Sequence, residues 1–333
     1  MAGETIISFV YGLEVQDEDD PYITAVRRAL VGLVVAAVPG AFLVDALPIL
    51  KYVPDWMPFA GFKRKVKQWC HWATIMVNMP FEAAQRDIRN GDAQPSFVLN
   101  SLDSMDRSKD IEHQQSVIKS TAATMYLAGS DTTSTAISSC VLGLVSQPKV
   151  FNKAREEIDR VIGTGNLPTF EDRDSLPYIT AIAKEALRWR DVLPIDENIC
   201  AILQKSSTND YFQDGKIDPD AKDPASIAFG FGRRICPGQY MAFSAIWIAI
   251  ASMIATLDIS KAVDDNGKII EPSYEYVSAL VRYATYPRAP GFSFLMKNYI
   301  TVPSSPLPFK CSIKPRSPQA ESLIRATTNA EYF

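Results

Sequence analysis

Phe229-Gly230-Phe231-Gly232-Arg233-Arg234-Ile235-Cys236-Pro237-Gly238-Gln239 sets one cysteine among three glycines and two arginines, directly ahead of an apolar run. Glycine has no Cβ, so backbone there can lie close to a flat group. Backbone N–H groups and a helix N-terminus favour a thiolate over a thiol. The run from Gln239 to about Leu257 predicts a helix whose positive dipole end stands behind the sulfur. Arginine adds a fixed fork of donors suited to a carboxylate. A lone cysteine is more often a buried structural residue. The glycines, the arginines and the helix that follows are the setting a thiolate ligand needs.

A second stretch lies upstream, in a long helix expected from about Asp110 to Ser146. Its centre reads Ala128-Gly129-Ser130-Asp131-Thr132-Thr133-Ser134-Thr135. Seven consecutive residues from Gly129 are poor helix formers, and a glycine in a helix interior costs about 1 kcal/mol against alanine. Serine and threonine also bond back to the preceding turn and bend helices. Selection for helix stability alone would not put them there. A third stretch, Lys184-Glu185-Ala186-Leu187-Arg188, sits on another expected helix, capped by Ser175 with Pro177 in its first turn. Glu185 and Arg188 share one face at i and i+3. Alone, that pair is an ordinary surface contact.

Together, in this order, the three stretches resemble the motifs of the cytochrome P-450 haem-thiolate monooxygenases, and most closely those of fungi. The resemblance covers nearly the whole chain and implies a mainly α fold with small β-sheets. It implies haem b, with Cys236 as axial iron ligand, Arg234 on a propionate, and Phe229, Gly232 and Gly238 shaping the loop. Gly129 would let backbone lie near the haem face. Asp131 and Thr132 would be an acid–alcohol pair passing protons to oxygen, and the stretch resembles the family's Ala/Gly-Gly-x-Asp/Glu-Thr motif. Glu185 and Arg188 resemble its Glu-x-x-Arg brace, a structural pair. The implied reaction inserts one atom of O2 into a small apolar organic substrate. Electrons would come from NADPH through a partner reductase. The implied location is the cytosolic face of the endoplasmic reticulum membrane.

Three departures from the family pattern accompany the match. The chain opens where the middle of the family's fold is expected, so one partial domain over residues 1–333 is anticipated, without the membrane anchor and early helices. None of the tryptophans has an arginine four residues on, which is the family's second propionate contact. Residues 195–209 resemble nothing in the family, and no arginine stands between Asp191 and Ala228 to complete the brace. Residues 282–304 read as an insertion, since Val281 would otherwise join Ser305. A mis-spliced transcript would produce all three. The alternative expectation is therefore a truncated, non-catalytic member of the fold that binds haem weakly or not at all.

Composition sets outer limits. With 333 residues and 47% apolar content, the chain can build a large core. A net charge of −4 without long charge runs gives no sign of nucleic-acid binding. The cysteines at 70, 140, 200, 236 and 311 are odd in number and scattered, and only two histidines are present. That argues against a disulfide framework or zinc, and for a reducing, cytosol-facing compartment. No signal peptide or anchor is read at the start, so a soluble cytosolic protein is the other expectation for this chain. The apolar stretch Ala29 to Leu50 is broken by Pro39-Gly40, Asp45 and Pro48, which suits two packed helices and a turn. Its sharper reading, over 29–59, is a surface element in peripheral contact with a membrane. Asp20-Pro21 opens a helix to about Val38, and separate helices are expected over Gly61 to Asn78 and Phe81 to Arg89. Lys149 to Ile162 reads as an amphipathic helix with Glu156, Glu157 and Asp159 outside, Asp264 to Gly267 as a turn, and Pro308 to Arg316 alternates like an edge strand.

Overall fold

The computed structural model describes residues 2–16, 19–37, 41–57, 60–190, 192, 212–213, 216–217, 223–277 and 305–329. They are mainly helical with small sheets. They group into two compact units, the first reaching Thr132 and the second formed by Thr133–Val277 with residues 305–329.

The first unit holds α1 (Ala2–Tyr11), α2 (Pro21–Ala37), α3 (Leu43–Ala46), α4 (Gly61–Asn90), α5 (Phe97–Asp103) and the leading part of α6 (Ile111–Ser146). The sequence specifies the start of α2 well. Asp20 is buried, and its Oδ1 accepts from Tyr22 N at 2.8 Å and Ile23 N at 2.9 Å. A cap of this kind is worth about 1 kcal/mol, and Pro21 needs no partner at the first helical position. α2 packs along α4, where the Arg28 guanidinium lies 4.2 Å above the Trp72 ring. The expected break between two helices near Pro80 does not occur, and α4 runs through it to Asn90. An internal proline costs about 3 kcal/mol by deleting one backbone bond. Pro80 is buried with Met76, Phe81, Ala83 and Ala84, and that apolar face holds the helix together across it. Ser96 caps α5 by accepting from Leu99 N at 3.2 Å.

The second unit takes the end of α6, then α7 (Pro148–Val161), a 3-10 turn (Phe170–Ser175), α8 (Pro177–Trp189), α9 (Ala225–Ala228) and α10 (Gln239–Thr256). A short hairpin, β1 (Phe212–Gln213) with β2 (Lys216–Ile217), lies between α8 and α9. The core is α10 against α7 and α8, with Trp247, Ile250 and Ile254 packed among Ile158, Leu176 and Ile179. Among the described residues, α10 is the one helix long and apolar enough to cross a membrane, and half of it is buried inside the protein. The Trp247 indole N–H donates to Thr180 Oγ1 at 3.0 Å, so its one polar atom is satisfied.

Two sequence expectations fail at the start of α8. The N-cap is Leu176 rather than Ser175, and its side chain caps nothing. The capping comes from Glu157 of α7, expected on the outer face of its helix but only 7% exposed. Its carboxylate accepts from Tyr178 N at 3.1 Å and Ile179 N at 3.0 Å. Burial raises the Glu157 pKa from its ordinary value, and the two N–H donors and nearby cations oppose the shift.

α10 runs directly into β3 (Leu257–Val263), which pairs with β4 (Ile269–Ile270) and with β7 (Cys311–Pro315), all antiparallel, in the order β4-β3-β7. The turn expected at Asp264 to Gly267 joins β3 to β4, with Asp264 Oδ1 accepting from Asn266 N and Lys268 N. β7 is an edge strand, as its alternation suggested. β5 (Tyr276–Val277) pairs with β6 (Ser305–Pro306). The expected insertion at 282–304 and the unusual segment at 195–209 lie outside the described residues. A last helix, α11 (Pro318–Asn329), packs on α10 and β7 and was not foreseen.

Candidate active site

The cysteine loop is built by its own backbone. Cys236 N donates to Phe229 O at 2.8 Å and closes the loop. Within it, Gly230 N donates to Ile227 O and Ile235 N to Gly232 O. Gly230 at φ 79° and Gly232 at φ 57° take the left-handed turns that side-chain-bearing residues avoid. The Phe229 side chain packs inward against the core. α10 begins at Gln239, with Gly238 as its N-cap, so the helix start follows the sulfur directly. Upstream, Lys184 Nζ pairs with Asp223 Oδ2 at 2.8 Å, and Asp223 Oδ1 accepts from Ala225 N at 2.9 Å. This ion pair fixes the approach to the loop from α8. Sequence reading missed it, although Lys184 stands beside the motif glutamate.

The loop's outer side differs from its inner side. Phe231 is 51% exposed and Ile235 42%. Arg233 and Arg234 are exposed, and neither has an ion-pair partner among the described residues. Cys236 is partly exposed. A Cβ added at Gly232 would meet nothing within 4 Å, and one added at Gly238 would stand 3.9 Å from Cys236 Sγ. One accessible sulfur, two uncovered apolar side chains, glycines in place of bulk and two free guanidinium groups fit an apolar disc with anionic edges. Haem has that chemistry, and its iron needs one protein ligand on this side. No group of three ligating side chains occurs among the described residues.

The brace is formed within the second unit. Arg188 Nε donates to Glu185 Oε2 at 2.6 Å and Nη2 to Oε1 at 2.5 Å, a two-pronged contact. Arg188 is only 6% exposed. Glu185 also lies near Cys140 of α6. Burial, with that negative charge adding, pushes the Cys140 thiol up to about 12.

Gly129, Asp131 and Thr132 fall in the first unit, and Cys236 and Arg234 in the second. α6 runs unbroken through the hydroxyl-rich stretch. Its hydroxyls bond back to the preceding turn without breaking the helix. Ser130 Oγ donates to Tyr126 O at 2.6 Å, and Thr132 Oγ1 to Ala128 O at 2.8 Å. A Cβ on Gly129 would come 2.8 Å from Ile6 Cγ1, so its missing side chain makes room for α1. Sequence gave no sign of this packing role.

With this geometry in view, the relatives can be placed. A family model described as Cytochrome P450 matches residues 1–200. "Cytochrome P450 monooxygenase 98" of Postia placenta is 38% identical over 97% of this chain and 65% of its own length. "Cytochrome P450 monooxygenase 208" of the same fungus is 39% identical over 97% and 64%. "Tryptamine 4-monooxygenase" of Psilocybe cyanescens is 36% identical over 92% and 63%. The chain belongs to the cytochrome P450 family, whose members are haem proteins. It spans just under two thirds of the length of the relatives it matches.

Proposed function

We propose that this chain is a haem-thiolate monooxygenase that inserts one atom of O2 into a small apolar organic molecule. The observation that carries the proposal is the closed Cys236 loop, with its partly exposed sulfur and its two unpaired arginines. Haem bound there supplies oxygen activation, and a thiolate ligand favours cleavage of the O–O bond. The protein's own residues do the rest. The Cys236 N–H, held by Phe229 O, fixes the sulfur's position. Arg234 holds a propionate by a charge-assisted bond. Asp131 and Thr132 act as the acid and alcohol that move protons. The Thr132 hydroxyl donates to Ala128 O, so its oxygen is poised to accept; to give its proton elsewhere it must rotate away from that carbonyl. Electrons come from NADPH through a partner reductase.

We place the protein at the cytosolic face of the endoplasmic reticulum membrane, and the surface of the first unit supports a membrane contact. Ile49, Tyr52 and Trp56 are 73%, 74% and 81% exposed, a cluster suited to lying in a lipid surface. Flotation with liposomes tests that contact, and a protein that stays at the bottom of the gradient refutes it.

One observation favours the second reading, a non-catalytic member of the family. Ile6 fills the space beside Gly129 that backbone near a haem face would need to keep open. A carbon monoxide difference spectrum of the reduced protein separates the two. The strongly red-shifted band of a thiolate-ligated haem supports the first reading. Absence of haem uptake defeats it and leaves the family membership untouched.

A further inference from the structure

The end of α10, the strand β3 and the start of α11 line an open pocket of about 340 Å³ in the second unit. Its polar lining is Arg155, Thr164, Asp258, Arg316, Ser317 and Gln319. That size is at the lower end for a small-molecule site. We propose that it is a binding site for a small organic oxyanion, a carboxylate or a phosphate monoester carried on a short neutral body.

The donors are in place and under-used. Arg155 Nη1 donates to Asp258 Oδ1 and Nη2 to Leu257 O, both at 2.5 Å, while its buried Nε has no partner. Arg316 Nη1 lies 2.7 Å from Asp159 Oδ1. That carboxylate oxygen is nonetheless buried without an aligned donor, so the contact is one of charge rather than a formed hydrogen bond. Most of the Arg316 donor fork stays unspent, although its side chain is only 11% exposed. Its backbone is pinned, with Arg316 N donating to Thr256 O at 2.9 Å. Ser317 caps α11 by accepting from Ala320 N at 3.1 Å, which leaves the hydroxyl hydrogen free. The start of α11 adds its partial positive charge to the same wall. Gly165, at φ 90°, leaves room beside Gln319, whose amide any Cβ there would strike at 2.1 Å.

Asp258 decides the ligand's orientation. Its charge is engaged by Arg155 but repels an oxyanion set beside it. The anionic head therefore belongs with Arg316, Ser317 and Gln319, and Ala255, Ala320 and Leu323 supply apolar lining for the neutral body. Guanidinium and hydroxyl donors together with apolar carbon in one lining select such a molecule over a bare ion.

The test is calorimetric titration of the full chain with benzoate and with phenyl phosphate at constant ionic strength, with benzyl alcohol as neutral control. Saturable binding of at least one anion, and none of benzyl alcohol, is expected. Arg316→Gln should weaken binding about tenfold or more, because a charge-assisted bond is lost. Thr164→Val alters an exposed position that the fold does not need and should weaken binding too. It carries the test if Arg316→Gln fails to fold. Preference for benzoate or phenyl phosphate assigns the head group. No saturable response to either anion, or equal binding by wild type and both variants, overturns the site.

Discussion

The two sides of the cysteine loop obey opposite rules. Inward, towards α7, α8 and α10, the buried polar groups nearest the helix contacts have partners: Trp247 has Thr180, Arg188 has Glu185, and the first N–H groups of α8 have Glu157. Outward, Phe231 and Ile235 are uncovered, and Arg233 and Arg234 have no ion-pair partner among the described residues. Folding accounts for the inner side, and nothing among the described residues accounts for the outer side. That difference is expected of a site whose outer half is completed by a bound group. It also separates two kinds of mutation, those that cost stability and those that cost binding.

The contrast can be broken most sharply at Cys236 itself. Cys236→Ser removes the sulfur without disturbing a buried contact. The red-shifted carbon monoxide band should vanish completely while the unfolding midpoint stays within the ordinary scatter of surface substitutions, about ±0.5 kcal/mol. A retained band would show that another residue is the ligand. On the inner side, Arg188→Leu leaves the Glu185 carboxylate without its two-pronged partner. Breaking such a pair from one side costs roughly 3–5 kcal/mol, readable in urea unfolding at constant pH. A loss below 1 kcal/mol would mark the brace as surface-like.

Glu157→Gln comes next. At low pH, where the Glu157 carboxyl is protonated, it exchanges that group for an amide before two buried N–H donors, and a loss of about 1–2 kcal/mol is expected there. The pH dependence sharpens it. The folded pKa of Glu157 is raised, chiefly by burial, so the folded state holds this proton more tightly than the unfolded chain does. The linked stability is complete below the ordinary glutamate value and declines as pH rises through the raised folded value. The gap between wild type and variant should narrow over that window, and a constant gap would show no such linkage. The smallest stability effect falls on the outer side. Arg234→Gln should change unfolding by no more than about 0.5 kcal/mol. It should still make the protein lose haem faster to an excess of apomyoglobin.

Local signals were legible in the chain, and signals from distant segments were not. The Asp20 cap, the span of α6, the start of α10 at Gln239, the turn after Asp264 and the strand β7 all follow from residues next to one another. Glu157 was misread because a helical wheel shows only its own helix, whereas the groups it serves begin α8. Pro80 was misread because the buried face that carries α4 across it depends on packing partners. The Cys236 loop was readable as a motif, whereas its backbone closure from Cys236 N to Phe229 O was not. The packing of Ile6 on Gly129 joins residues far apart in sequence, and no motif announces it.

The pairing of Leu257 with Pro315 and Lys261 with Cys311 has a consequence for how the molecule is made. On the ribosome, β3 emerges long before β7. β4 follows within a few residues and covers the far end of one edge, but the other edge must wait for the C-terminal segment. An unpaired edge invites pairing with a neighbouring nascent chain. The Arg155 grip on Leu257 O and Asp258 is available earlier, because α7 has already been synthesised. That arginine is placed to shield the start of β3 on the nascent chain, so stalling or truncation before Cys311 leaves the strand with that guard alone.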